Sequence, residues 1–163
     1  MSALTSFAEL ADRHRAEILR YLVRVLGNEA DAQDICQDVF LRAQRAFGRL
    51  TPESNTRAWL YRIATNGALN ARRQRARGLA RAVDVDLDTL PAVASADRRD
   101  ELRMVVRAVR TLPPRQRAAL MLRQFHEMSY AEIATAIGGN EATARANVYQ
   151  AIKKLRAALG DER

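Results

Sequence analysis

The chain has 163 residues, a formal net charge of +8 and a hydrophobic content of 48%, which is ample for a folded core. The positive charge favours a polyanionic partner. A membrane surface could also attract a basic chain, but the sequence contains neither an apolar run of about 18 residues nor a signal peptide. We therefore expect a soluble, cytoplasmic protein that binds nucleic acid.

The few metal-binding side chains are scattered along the sequence. Cys36 is the single cysteine, so no internal disulfide can form, and its apolar neighbours predict a buried thiol. His14 and His126 lie far apart, and neither has metal-ligand spacing to Cys36. We predict no metal site and no cofactor.

Apolar residues recur at helical spacing along most of the chain, and glycine and proline are few. This composition predicts an all-α fold. The pattern indicates three helices in the N-terminal half, at 4–26, 29–47 and 56–77, with a loop at 48–55.

The first half of the second helix is acidic and contains no lysine or arginine. Its acids are Glu29, Asp31, Asp34 and Asp38. Acids near a helix N-terminus stabilise the helix through its dipole, which is the simpler explanation. An acidic patch in a basic chain also suits a basic protein partner. A catalytic carboxylate pair is disfavoured, because no nucleophile or metal-binding histidine lies nearby.

The third helix carries a polar and basic stripe beside Trp59, formed by Asn66, Asn70, Arg73 and Arg77. Amides can read base edges and arginines can hold phosphates, so the stripe suits nucleic acid. A solvated surface is the alternative. We expect Trp59 itself to belong to the core.

Residues 78–97 differ in composition and charge from the helices before them. The segment 82–96 has three aspartates and no basic residue, which predicts a flexible acidic linker between two small helical domains. Helices at 98–111 and 115–126 follow, separated by Pro113 and Pro114.

The segment Ser129–Leu155 predicts a helix-turn-helix. Ser129 and Glu132 can form a capping box, Gly138 and Gly139 suit a sharp turn, and Asn140 is a favourable N-cap for the second helix. That second helix has an apolar back and a polar, basic front, which suits a DNA major groove. A plain helical hairpin with a solvated outer face is the alternative.

These motifs together resemble the extracytoplasmic-function sigma factors, the minimal two-domain bacterial transcription initiation factors. The resemblance covers nearly the whole chain. Its main motifs are Asp31–Phe40, Arg57–Arg73, Leu112–Arg117, Tyr130–Ala134 and Lys153–Leu155. It implies region 2 at 1–77, a linker at 78–97 and region 4 at 98–163.

The resemblance also implies three sets of contact residues. The core-polymerase set is Asp31, Asp34, Gln37, Asp38 and Phe40. The set for the −10 promoter element is Asn55, Trp59, Tyr61, Arg62, Asn66, Asn70, Arg72, Arg73 and Arg77. The set for the −35 element is Arg115, Thr143, Arg145, Ala146, Asn147, Tyr149, Gln150, Lys153 and Lys154.

The recognition helix departs from the family pattern. Ala144, Ala146, Asn147 and Gln150 stand where valine, serine and two arginines are common. Gln150 could pair with an adenine edge. The −35 preference of the family is therefore not transferred to this chain.

The partners implied by the resemblance are the β′ and β subunits of core RNA polymerase, promoter DNA and an anti-sigma factor, which could hold the protein at the inner membrane face. No catalytic activity and no small-molecule substrate are implied. The alternative is a stand-alone helix-turn-helix regulator, which would need neither the acidic second helix nor the stripe beside Trp59.

Overall fold

The computed structural model describes residues 6–51, 53–77 and 95–160. Within these ranges the chain forms seven α-helices and one 3-10 turn, and no strand. The helices are α1 (Phe7–Leu26), α2 (Glu29–Ala46), α3 (Thr56–Arg77), α4 (Ala96–Thr111), α5 (Pro114–Phe125), α6 (Tyr130–Ile137) and α7 (Glu141–Ala158).

The all-α prediction is confirmed, and the bounds of α3 are those that the sequence predicts. The fourth helix begins at Ala96 rather than Arg98, with Ser95 at its N-cap, so the end of the predicted linker is helical. The rest of that linker, at 78–94, lies outside the described residues, as do positions 4 and 5 of the predicted first helix.

The N-terminal domain is a bundle of α1, α2 and α3. Its core includes Ile18, Leu22 and Leu60, each fully buried. Because Gly67 has no side chain, α3 can approach α2 closely at this position. A Cβ here would lie 3.2 Å from Cγ2 of Ile35. Cys36 is buried as predicted, and burial raises the pKa of its thiol.

The C-terminal domain packs α5 and α6 against α7. A small second cluster, formed by Leu112, Leu120 and Ala151, joins α7 to the turn before α5. The fourth helix contributes little to either cluster, because Ala108 is its one buried residue.

The two domains share one continuous apolar core, because α3 packs on α6 and α1 packs on α5. His126, at the end of α5, lies at the centre of this domain interface. Its Nδ1 is 2.8 Å from the hydroxyl of Tyr61, and its backbone oxygen accepts a hydrogen bond from Nη2 of Arg57 at 2.8 Å. The imidazole also makes an edge contact with the ring of Tyr21 and a tilted contact with the ring of Tyr61.

Arg117 joins the domains a second time. Only 2% of this residue is exposed. Its Nη1 donates to the backbone oxygen of Val25 at 2.9 Å, and its Nε donates to that of Val109 at 3.0 Å, while Nη2 donates to the oxygen of Arg110. These carbonyls belong to the last turns of α1 and α4, where a helix leaves acceptors unpaired and carries partial negative charge.

Burial strongly disfavours the charged form of His126. It lowers the pKa of the imidazole to about 4, and the nearby Arg24 and Arg57 act in the same direction, while Glu17 opposes them. The folded state therefore binds fewer protons than the unfolded state between pH 6.5 and about 4. The stability that neutral His126 provides is complete above pH 6.5 and is lost as the pH falls through this window.

We expect the His126→Gln variant to be less sensitive to acid than the wild-type chain. Between pH 7.5 and 5, His126 should contribute a loss of about 2 kcal/mol to the unfolding free energy, and glutamine should abolish that contribution because it does not titrate. Urea unfolding of both proteins at pH 7.5 and at pH 5 measures the loss of unfolding free energy in each. Equal losses in the two proteins would contradict the assigned role of His126.

Candidate nucleic-acid and polymerase interfaces

The helix-turn-helix is held by the caps that the sequence predicts. Ser129 and Glu132 form the reciprocal capping box at the start of α6. Gly138 and Gly139 both have positive φ angles, of 84° and 106°, which a sharp turn requires. The side chain of Asn140 then accepts from the backbone N–H of Thr143 at 2.9 Å and starts α7.

The predicted polar front of α7 faces solvent. Its exposed members are Arg145, Ala146, Tyr149, Gln150, Lys153 and Lys154. Thr143 and Asn147 are half-buried, and the Asn147 amide donates to the Thr143 carbonyl oxygen at 2.9 Å. On the opposite side, Ala144, Val148 and Ala151 are buried. The helix therefore offers an amide, an aromatic ring and several cations on a single accessible face.

Arg145 is less free than its position on the exposed face suggests. Its Nη2 is 2.9 Å from the carboxylate of Glu141, and its guanidinium lies 4.8 Å from the ring centroid of Tyr130. The guanidinium of Arg123 lies 4.3 Å from the same ring. Such cation–π contacts restrict an arginine to fewer orientations. The Glu141 pair has local i,i+4 spacing, but no local pattern indicates the contact with Tyr130, which lies 15 residues before Arg145 on another helix.

The predicted stripe on α3 is also accessible. Arg62, Asn66, Asn70 and Arg73 are exposed along one face of the helix. Trp59 is half-buried against the core, as expected. The backbone of Arg77 closes α3, and its side chain lies outside the described residues.

Two predicted contact residues lie in the core instead. Tyr61 is fully buried and bonds to His126, and only 4% of Phe40 is exposed. Both rings are large apolar groups whose burial stabilises the helix packing, so in this conformation neither offers a contact surface to a partner. The guanidinium of Arg15 covers the Phe40 ring at 4.6 Å.

Asn55 has two structural partners before any DNA is present. Its Oδ1 accepts from the Ala58 N–H at 3.0 Å and caps α3, and its Nδ2 donates to Glu132 at 3.1 Å. This amide therefore links the loop before α3 to the first helix of the helix-turn-helix. The hydrogen bonds from Ser129 and Asn55 lower the pKa of Glu132, against the opposing effect of desolvation.

The acidic face of α2 is partly neutralised, which the sequence did not predict. Asp31 pairs with Arg75 of α3, and Asp38 pairs with Arg42 at 2.9 Å. Asp34 and Gln37 are exposed. The Arg75 pair was missed because the arginine comes from another helix. The remaining acidic surface is thus centred on Asp34.

One cleft brings together residues that the sequence assigns to different promoter elements. It has a volume of about 650 Å³ and is lined by Leu69, Arg72, Arg73, Pro113, Pro114, Arg115, Gln116 and Asn147. We call it the interdomain cleft. Its walls come from the end of α3, the start of α5 and α7.

Clusters of metal ligands and long apolar helices are absent from residues 6–51, 53–77 and 95–160. No three histidine, cysteine, aspartate or glutamate side chains come together there in a way that could hold a metal ion. No helix in those ranges combines the length and apolar character needed to cross a membrane.

Both halves of the chain match models of sigma-70 regions. Residues 10–78 match sigma-70 region 2, and residues 102–155 match sigma-70 region 4. The order of these regions and their helical structure agree with the two domains described above. The chain belongs to the extracytoplasmic-function RNA polymerase sigma factors.

Named relatives agree over nearly the full length. The chain is 32% identical to the RNA polymerase sigma-H factor of Pseudomonas aeruginosa, across 94% of this chain and 86% of that protein. It is 33% identical to the sigma factor CarQ of Myxococcus xanthus, across 98% of this chain and 92% of CarQ. It is 31% identical to the ECF sigma factor SigE of Mycolicibacterium smegmatis, across 95% of this chain but 62% of that longer protein.

Two solved structures share the fold. CnrH in complex with the cytosolic domain of CnrY aligns with a TM-score of 0.69 at 26% identity, covering 99% of this chain and 92% of CnrH. The sigma factor RpoE of Bartonella quintana, in complex with the anti-sigma factor NepR, aligns with a TM-score of 0.77 at 23% identity, covering 96% and 98%. At that identity the second match supports the fold alone.

Proposed function

We propose that this protein is an alternative sigma subunit that binds core RNA polymerase, recognises a promoter at two elements and assists DNA melting. The observation that carries the proposal is the presence of both sigma regions in one chain, each with an accessible polar surface. The acidic face of α2, the stripe on α3 and the front of α7 lie on three separate helices.

The α2 face suits the polymerase itself. Promoter DNA would be repelled by an exposed carboxylate such as Asp34, whereas a basic protein surface would be attracted. We assign this face, with Asp31, Asp34, Gln37 and Asp38, to a basic element of the β′ subunit. Phe40 supports the face from the core.

The α3 stripe suits the −10 element. Exposed amides at Asn66 and Asn70 can bond base edges, and the exposed Arg62 and Arg73 can hold phosphates. The loop before α3 would capture an unstacked base, because the few kcal/mol lost on unstacking are offset by contacts in a pocket. Asn55 would take part after leaving Glu132.

The front of α7 suits the −35 duplex. Gln150 is placed to read a base, and Lys153 and Lys154 to hold phosphates. Arg115 at the start of α5 adds a further cation. The residues between α3 and α4 would enter the positively charged interior of the polymerase.

The solved relatives supply a further partner. CnrH was solved with the cytosolic domain of CnrY, and the Bartonella quintana sigma factor RpoE was solved with the anti-sigma factor NepR. We propose a similar protein partner for this chain. The proposed site of action is the cytoplasm, where the polymerase works, and the protein has no catalytic activity of its own.

We expect purified core polymerase to yield promoter-specific run-off transcripts only when this protein is added. Core polymerase alone and core with heat-denatured protein are the controls. If no specific transcript forms, while the protein alone binds one duplex sequence tightly, the stand-alone regulator is the correct function.

Charge reversal on α2 should weaken polymerase binding. Asp34→Lys with Asp38→Lys replaces attraction by repulsion, and we expect affinity for core polymerase to fall on the order of tenfold or more. Fluorescence anisotropy measures the affinity. The matched control is Glu9→Lys with Asp12→Lys, which makes the same charge change at exposed positions on α1. Equal affinity in the two variants would remove α2 from the interface.

Gln150→Ala should change the preference for one base pair of the −35 element by about 1–3 kcal/mol. Lys154→Ala is the control, because loss of a phosphate contact weakens binding evenly across sequences. Competition binding with a set of single-base promoter variants separates the two patterns. An unchanged preference profile in Gln150→Ala would show that this side chain does not face a base.

A further inference from the structure

The interdomain cleft has the composition of a phosphate site. Three arginines line it, Arg72 and Arg73 from α3 and Arg115 from α5, and none of its described lining residues is acidic. Arginine is well suited to phosphate because its guanidinium donates two parallel hydrogen bonds. Leu69 and the two prolines add apolar walls, which a planar base or sugar could contact.

The start of α5 adds to the positive potential. Pro113 occupies the N-cap position, and in the described part of the chain no side chain caps this helix N-terminus. Pro113 and Pro114 have no backbone N–H, so the N–H groups of Arg115 and Gln116 are the donors that this helix N-terminus offers to an anion. The helix dipole also favours negative charge there. The 12-residue helix therefore directs its positive end towards the residues that line the cleft.

Cations next to the cleft are poorly compensated. Arg117, which follows the lining residue Gln116, bonds only to backbone oxygens, and its pKa is lowered to about 10 by burial and by the nearby Arg72 and Arg110. Nη1 of Arg72 is buried and has no hydrogen-bond partner among the described residues. Neither guanidinium has a carboxylate partner among the described residues, so an anion in the cleft would add negative charge close to both.

We propose that the interdomain cleft binds an oligophosphate, with one set of arginines from each domain, and that the bound ligand holds the domains together. The phosphates could belong to a free nucleotide or to a nucleic acid strand, since both present the same chemistry. The site exists only while the domains are packed. A ligand there would also occupy Arg72, Arg73 and Arg115, which the proposed function assigns to promoter DNA.

The test uses the full chain without polymerase or promoter, so its result does not depend on the proposed function. Isothermal titration calorimetry at fixed ionic strength would measure the binding of pyrophosphate, ATP and a single-stranded DNA hexanucleotide to the chain. We expect saturable binding at a single site by at least one probe. Arg73→Gln and Arg115→Gln should each weaken it about tenfold, because each removes a charged hydrogen bond.

Arg156→Gln is the matched control, since it removes the same charge from an exposed position at the far end of α7. It should leave the affinity unchanged. The proposal fails if no probe saturates, if the control loses as much affinity as the cleft variants, or if the arginine of only one domain matters. Tighter binding of the hexanucleotide would identify a nucleic acid strand as the source of the phosphates, and binding of ATP or pyrophosphate alone would identify a free nucleotide.

Discussion

The packing of this chain depends on how it accommodates a buried cation. Arg117 is almost completely enclosed and has no carboxylate partner in the described structure; three backbone oxygens at the ends of α1 and α4 replace one. Isolated charges are expensive to bury, so this guanidinium is stable only while both helix ends stay in place. The position of α1 is thereby tied to that of α4 and α5. At the other end of α5, His126 in its neutral form joins Tyr61 and Arg57 to this helix.

Local patterns predicted the elements but not this interface. Helical periodicity, the capping box at Ser129 and the glycine pair before Asn140 are short-range signals, and each has its expected structure. The contact from Arg117 to Val25 and the contact from His126 to Tyr61 join residues far apart in sequence, so no local pattern predicts them. For the same reason, the sequence did not show which of the predicted contact residues are buried. Phe40 lies at helical spacing with the apolar residues of α2, whereas only the packing shows that the ring of Tyr61 is internal.

The proposed function requires this interface to open. The −10 and −35 elements are centred 25 base pairs apart by name, which is about 85 Å along a DNA duplex. A compact chain of this length has a radius of gyration of about 15 Å. With α6 packed on α3, the two helices that the proposed function assigns to DNA, α3 and α7, lie too close together to reach both elements at once. Polymerase binding must therefore supply enough free energy to separate Arg117 from Val25 and Asn55 from Glu132.

The shared core has a consequence for inheritance. Two domains that recognise separate promoter elements could in principle be exchanged between relatives like independent cassettes. Here a transplanted C-terminal half lacking arginine at 117 and histidine at 126 would leave the end of α1 and the hydroxyl of Tyr61 without their partners. Selection on the free protein therefore couples the two halves, and new promoter specificities should arise more readily by substitution on the exposed faces than by recombination between the domains.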